Sequence, residues 1–221
     1  MSTIATPPAA PSEEAADERE VGRLFGLSDA VFAIAMTLLA LDLRVPDLGA
    51  SPPDEAVRHA LAEQGSRYLS FLLSFYIAAV YWRRYRHETR TVRVGRPALV
   101  RCTMLLLLAV SALPFASSLL GAYGGHAGTA LAVYAGVNVL ATVALLLIRY
   151  AALPAGDAGA ARAASDRHEL WFDLVALALA VPVGYLIPGH GIEALFALLV
   201  ISGRAGALLT GRRRRRETGP A

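Results

Sequence analysis

The chain contains no lysine. All 21 of its basic residues are arginine, and with 18 acids they leave a modest formal charge of +3. There is one cysteine, Cys102, which excludes an intramolecular disulfide and any cysteine-based metal site. No G-x-S-x-G, H-E-x-x-H or phosphate-cradling glycine loop is present, so no nucleophile–base set is visible and the chain reads as a non-enzyme. Residues 1–18 lack the basic and apolar stretches of a signal peptide. Their Pro, Ala and Glu content suggests instead that residues 1–22 form a disordered tail.

What the chain has is apolar length. It is 55% hydrophobic over 221 residues with a mean hydropathy of +0.47, too apolar for an ordinary soluble domain. A bilayer core takes about 20 apolar residues per helix. Six blocks of that kind are expected as helices, over about 24–45, 66–85, 98–120, 128–149, 169–187 and 191–209. The fold class is therefore an all-α integral membrane protein with six transmembrane helices, multi-pass in a plasma or bacterial inner membrane. The Arg-only, Ala-rich composition points to a GC-rich genome and so to a bacterium.

The arginines are distributed unevenly. Arg44, Arg58 and Arg67 fall where the first block exits, and the other 18 fall on the opposite side. The positive-inside rule then puts both termini in the cytoplasm, which agrees with an even number of spans. The expected organisation is a cytoplasmic tail over 1–22, a six-helix domain over 23–210 and a basic cytoplasmic tail over 211–221 that carries Arg212–Arg216.

Between the first two blocks, SPPDEAVRHALAEQ has acids up front and helically spaced apolar residues, which predicts a short surface helix. The second block ends in Tyr81 and Trp82 followed by arginines, the pattern of a cytoplasmic interface. Residues 83–101 hold seven arginines with only Glu88 against them. That density suits topological anchoring and contact with anionic lipid head groups. Without interleaved aromatics or a folded module it does not suit nucleic acid. Pro114 in the third block and Pro182 in the fifth are expected to kink their helices. Asn138, mid-span in the fourth, is expected to bond between helices.

The first block carries the most pointed chemistry. An intramembrane carboxylate such as Asp29 is costly and marks a functional hypothesis by default. It lies close to the cytoplasmic end, however, where Ser28-Asp29 can also serve the helix start. Structural bonding and direct ion or proton handling both remain open for it. Beyond it, Ile34, Leu38 and Leu41 form one stripe at spacings of four and three, with Thr37 beside it. At 100° per residue Asp29 points roughly 140° away from the middle of that stripe. Taken alone, such a stripe is ordinarily packed or lipid-facing.

Other candidates fall away. Val183-Gly184-Tyr185 matches three letters of the filter signature TVGYG, but Pro182 and Leu186 break it and the following link is too short for a re-entrant pore loop. His168, Glu169, Asp173, His190 and Glu193 sit at span ends without the three or four convergent ligands that a metal needs.

The segment Arg23-x-x-x-Leu27-Ser28-Asp29 followed by AVFAIAMTLLALDLRVP resembles the first helix of the endolysosomal potassium-channel family (transmembrane protein 175) and its bacterial relatives, which carries an R-x-x-x-F-S-D motif. LLLLAVSALPFASSLLGAYG resembles that family's third helix, including the Leu-Pro-Phe step. The likeness covers most of residues 23–150. Leu27 replaces the motif's Phe. Where relatives often have Tyr-Trp-x-x-His, this chain has Tyr81-Trp82-Arg83-Arg84-Tyr85, with His87 two positions late, so a polar network between the first two helices is expected to differ in detail. The resemblance implies a homotetrameric potassium channel whose first helix lines the pore. It makes Ile34, Leu38 and Leu41 the apolar constriction, Thr37 an oxygen ligand for the ion, and Arg23, Ser28 and Asp29 a packing network behind the pore. It implies no cofactor, and K+ only as the permeant ion. Two other readings stand beside it: a proton-coupled secondary transporter using Asp29 or Asp173, and a membrane scaffold without flux.

Overall fold

The computed structural model describes residues 13–44, 47–90, 92, 96–123 and 128–152. These are helical throughout: α1 (Glu13–Leu39), a 3-10 turn (Ala40–Asp42), α2 (Asp54–Glu63), α3 (Gly65–Thr89), α4 (Pro97–Tyr123) and α5 (Gly128–Ala152). The fifth and sixth apolar blocks lie outside the described residues, together with Pro182, Val183–Tyr185, His168, Glu169, Asp173, His190 and Glu193.

Each of the first four apolar blocks lies on a long helix, and the ends differ from expectation for local reasons. α1 begins at Glu13, so it takes up residues 13–22, which composition places in a disordered tail. The run EEAADERE is rich in Ala and Glu, which are good helix formers, and acids are favoured in a first helical turn. At the other end α1 tightens into the 3-10 turn and leaves helical geometry at Leu43 (φ −80°, ψ 74°), shortly before Pro46. α4 opens on Pro97, where a missing N–H costs nothing, and continues past Pro114. The expected surface helix is α2, with Asp54 and Glu55 in its first turn.

Among the described residues three helices are long and apolar enough to cross a membrane, within 17–42, 97–123 and 128–152. α3 has the length, at 25 residues, but serines, tyrosines and arginines lower its hydropathy. Many of those polar groups are turned inward: Ser70, Ser74, Tyr81 and Tyr85 are all buried. The core is shared by α1, α3, α4 and α5, and Phe32, Leu73, Leu113, Tyr134 and Leu145 are among its fully enclosed side chains.

Contacts between helices fix their directions. Ser28 on α1 meets Tyr85 on α3, so these two run antiparallel. Ser66 and Ser70 on α3 meet Gly121 and Ser117 on α4, again antiparallel. Arg96, just before α4, bonds to the Ala151 carbonyl at the end of α5. Arg83, Arg84, Arg86, Arg90, Arg96, Arg101 and Arg149 therefore gather at one end of the bundle, and Arg44, α2 and Arg67 at the other. This is the arrangement that the charge asymmetry of the sequence requires.

Candidate functional site

α1 has two unlike faces. One carries Val21, Leu24, Ser28, Phe32, Ala35 and Leu39, all buried, at helical spacings of three and four. The other carries Leu27, Ile34, Leu38 and Leu41 at 47%, 58%, 44% and 68% exposure. The sequence stripe is thus the face of α1 that its own protomer leaves uncovered. Thr37 beside it is also exposed, and its hydroxyl proton is committed to the Ile34 carbonyl at 2.8 Å. A hydroxyl that donates inward keeps its oxygen lone pairs for an acceptor role outward.

The motif residues sit off that stripe. Ser28 is fully buried; its Oγ donates to the Leu24 carbonyl at 2.8 Å and lies 3.0 Å from the Tyr85 hydroxyl. Tyr85 is wedged between Phe25, edge-on at 6.2 Å, and Phe32, stacked at 6.3 Å. Asp29 accepts from Trp82 Nε1 at 2.9 Å with one oxygen and meets Arg86 at 3.4 Å with the other. Both partners of the ion pair are about half exposed, so the pair itself adds little stability. Arg23 is exposed and does not join these contacts within the protomer. Tyr85 stands at the His position of the Tyr-Trp-x-x-His pattern and supplies the hydroxyl that Ser28 meets. His87 is exposed. Among the described residues no three His, Cys, Asp or Glu side chains converge on a possible metal position.

The family model for the endosomal/lysosomal potassium channel TMEM175 matches residues 23–114, which hold the motif, the stripe and α3. A potassium channel of Streptomyces collinus is 33% identical over 193 residues, 80% of this chain and 91% of that protein. A potassium channel of Chamaesiphon minutus is 37% identical over 160 residues, 71% and 77% of the two chains. The chain belongs to the TMEM175 family. Its fold also matches the crystal structure of a lysosomal potassium-selective channel TMEM175 homolog from Chamaesiphon minutus, with a TM-score of 0.69, 25% identity, and coverage of 85% of this chain and 98% of that one.

This TMEM175-family protomer also has a polar seam that sequence reasoning missed. Ser66 and Ser70 on α3 donate to the carbonyls of Gly121 and Ser117 on α4, at 2.9 and 2.7 Å. Ser74 donates to Ser117 Oγ at 2.9 Å and lies 3.0 Å from the Tyr134 hydroxyl on α5. Further along, the Tyr81 hydroxyl donates to Asn138 Oδ1 at 3.0 Å, which makes Asn138 the interhelical link expected of it. A Cβ at Gly121 would lie 3.2 Å from the Arg67 Cα, so glycine there lets α3 and α4 close up. The available signal was the spacing of Ser66, Ser70 and Ser74, a small residue every fourth position.

Proposed function

We propose that the chain is a passive, potassium-permeable cation channel of a bacterial plasma or inner membrane, formed by a homotetramer with α1 of each subunit lining a central pore. In this reading residues 23–210 make six spans with both termini in the cytoplasm, and 211–221 form a basic cytoplasmic tail. The observation that carries the proposal is the two-faced α1: a row of large apolar side chains left uncovered on a helix whose opposite face is packed and polar-bonded. Family membership and the relatives in Streptomyces collinus and Chamaesiphon minutus, which are potassium channels, support the same reading.

Ile34, Leu38 and Leu41 from four subunits form narrow apolar rings. Such rings offer no carbonyl oxygens, so an ion passes with a thinned hydration shell and the rings can gate by dewetting. Thr37, with its oxygen outward, is the nearest ligand that can replace lost water. Selectivity then rests on differences in dehydration between K+ and Na+. Ser28 and Asp29, tied to Tyr85, Trp82 and Arg86, hold α1 from behind. Arg23 completes that network when a neighbouring subunit brings a partner to its exposed side. Arg83, Arg90 and Arg101, exposed at the cytoplasmic end, meet anionic lipid head groups.

A proton-coupled transporter using Asp29 or Asp173 is the less favoured alternative: both Asp29 oxygens are engaged, by Trp82 and Arg86, and Asp173 lies outside the described residues. The deciding experiment is flux from liposomes loaded with K+ or Na+. Electrogenic K+ flux exceeding Na+ flux, and altered by Leu38→Asn, is the expected result. Saturable flux driven by a pH gradient supports the transporter instead, and no flux from folded wild type and variant supports a scaffold.

A further inference from the structure

The stretch from Ser28 to Asp42 is held by polar contacts at both ends, and the constriction residues lie between them. In the middle of α1 Ser28 and Asp29 meet Tyr85, Trp82 and Arg86. At the far end the Asp42 carboxylate accepts a hydrogen bond from Ser118 Oγ of α4 at 2.8 Å. The span from Asp29 to Asp42 is about 20 Å at helical rise. Within it Phe32, Ala35 and Leu39 supply only apolar packing.

The far end depends on this contact for a geometric reason. Leu41 lies in the 3-10 turn, 68% exposed, and none of the turn's residues is buried. A 3-10 turn has poorer hydrogen-bond geometry than an α-helix. Its own backbone bonds, from the Leu43 and Arg44 N–H groups to the Ala40 and Asp42 carbonyls, hold its shape but not its place. At three residues per turn Asp42 returns to the side of α1 that carries buried Leu39, while Leu41 stays on the exposed side. Ser118 adjoins Ser117, which is bonded to Ser70 and Ser74 in the seam. The bond from Asp42 thus fastens the turn to the most heavily cross-linked part of the bundle.

We propose that the Asp42–Ser118 hydrogen bond is a positioning contact that sets the place of Leu41 and thereby the conductance and the K+ over Na+ preference of the outer constriction. This rests on the reading of α1 as the pore helix. In a four-fold ring, any outward shift of one side chain is doubled across the diameter, so a small slackening of the turn changes ion passage. Neither residue touches the ion; both act through Leu41.

The test is K+ and Na+ flux from liposomes for Ser118→Ala, Asp42→Ala, the double variant, Asp42→Asn and Ser118→Thr, with size-exclusion of each to separate lost assembly from altered conduction. Ser118→Ala and Asp42→Ala are each expected to change the K+/Na+ flux ratio by about threefold or more, the scale of a remote structural coupling. The double variant should go no further than either single one, because both remove the same bond. Asn at 42 still accepts from Ser118 and Thr at 118 still donates, so both conservative variants should stay close to wild type. A wild-type ratio in assembled Ser118→Ala overturns the proposal. So does equal damage from Asp42→Asn and Asp42→Ala, which assigns the effect to charge at the mouth. If Ser118→Ala fails to assemble, the contrast between the two Asp42 variants decides. Leu38→Asn is measured alongside: a wild-type result there breaks the pore reading and this proposal with it. Altered flux at Leu38 with none at Ser118 breaks this proposal alone.

Discussion

α1 and α3 are both long helices of the same bundle and both expose large apolar side chains, but they differ in how many polar groups they turn inward. α3 turns Ser70, Ser74, Tyr81 and Tyr85 inward and leaves Leu72, Phe75 and Tyr76 exposed. That is the economy of a helix in lipid, where hydroxyls satisfy one another between helices and apolar side chains face hydrocarbon. α1 also exposes large apolar residues, but its inner face is mostly apolar too and holds one buried polar side chain, Ser28. Its attachment rests on packing plus polar contacts in its middle and at the turn that follows it. The difference teaches that exposed apolar surface has two meanings here. On α3 it is compatible with lipid alone, whereas on α1 it runs into the 3-10 turn and flanks an outward-facing threonine oxygen.

The contrast can be broken from the α3 side first. Asn138→Ala removes two buried side-chain hydrogen bonds, the one Asn138 Oδ1 accepts from Tyr81 and the one its amide donates to the Tyr134 carbonyl, and at about 1 kcal/mol each should cost about 2 kcal/mol of stability, the Tyr81 hydroxyl keeping the backbone carbonyl of residue 138. Thermal unfolding in detergent measures it, and flux per folded channel should be unchanged. On α1 the expectation is the reverse. Leu38→Asn should leave the melting temperature close to wild type while raising K+ flux about tenfold, equivalent to lowering the barrier by about 1.4 kcal/mol, and weakening selectivity. If Leu38→Asn unfolds the protein and leaves flux alone, the two helices do not differ as described.

Ser74→Ala sharpens the comparison. It leaves Tyr134 without its α3 partner and should cost about 1 kcal/mol, again read by unfolding with conduction intact. Asp29→Asn should have the smallest energetic effect, under about 1 kcal/mol, because the Arg86 pair is half exposed and Asn can still accept from Trp82. Its expected signature is a lower yield of assembled channel at unaltered K+/Na+ ratio. An assembled Asp29→Asn channel with changed selectivity would move Asp29 into the permeation path.

The stripe of Ile34, Leu38 and Leu41 was legible because helical periodicity needs only the local sequence, and the structure leaves that face uncovered. The early start of α1 was not, because residues 13–22 are polar and hydropathy is blind to a helix carried by Ala and Glu propensity. Asn138 could be read as an interhelical link, since a mid-span amide has few other fates. Its partner Tyr81 could not be named, because which residues meet across helices depends on their crossing and register. Tyr85 shows the same limit: in sequence it is only a departure from a family pattern, whereas in the fold its hydroxyl lies 3.0 Å from Ser28.

By itself the sequence determined where the first four apolar blocks lie, the bias of arginines toward one end, and which α1 residues share a face. All of these follow from composition and the 3.6-residue repeat, which act within a segment. Only the tertiary structure decided that Ser117 bridges α3 and α4, that Asp29 is spoken for by Trp82 and Arg86, and that Ser118 fastens Asp42. Hydrogen bonds between helices form at distances of about 3 Å, and no pattern along one helix fixes a neighbour's rotation and offset to that precision.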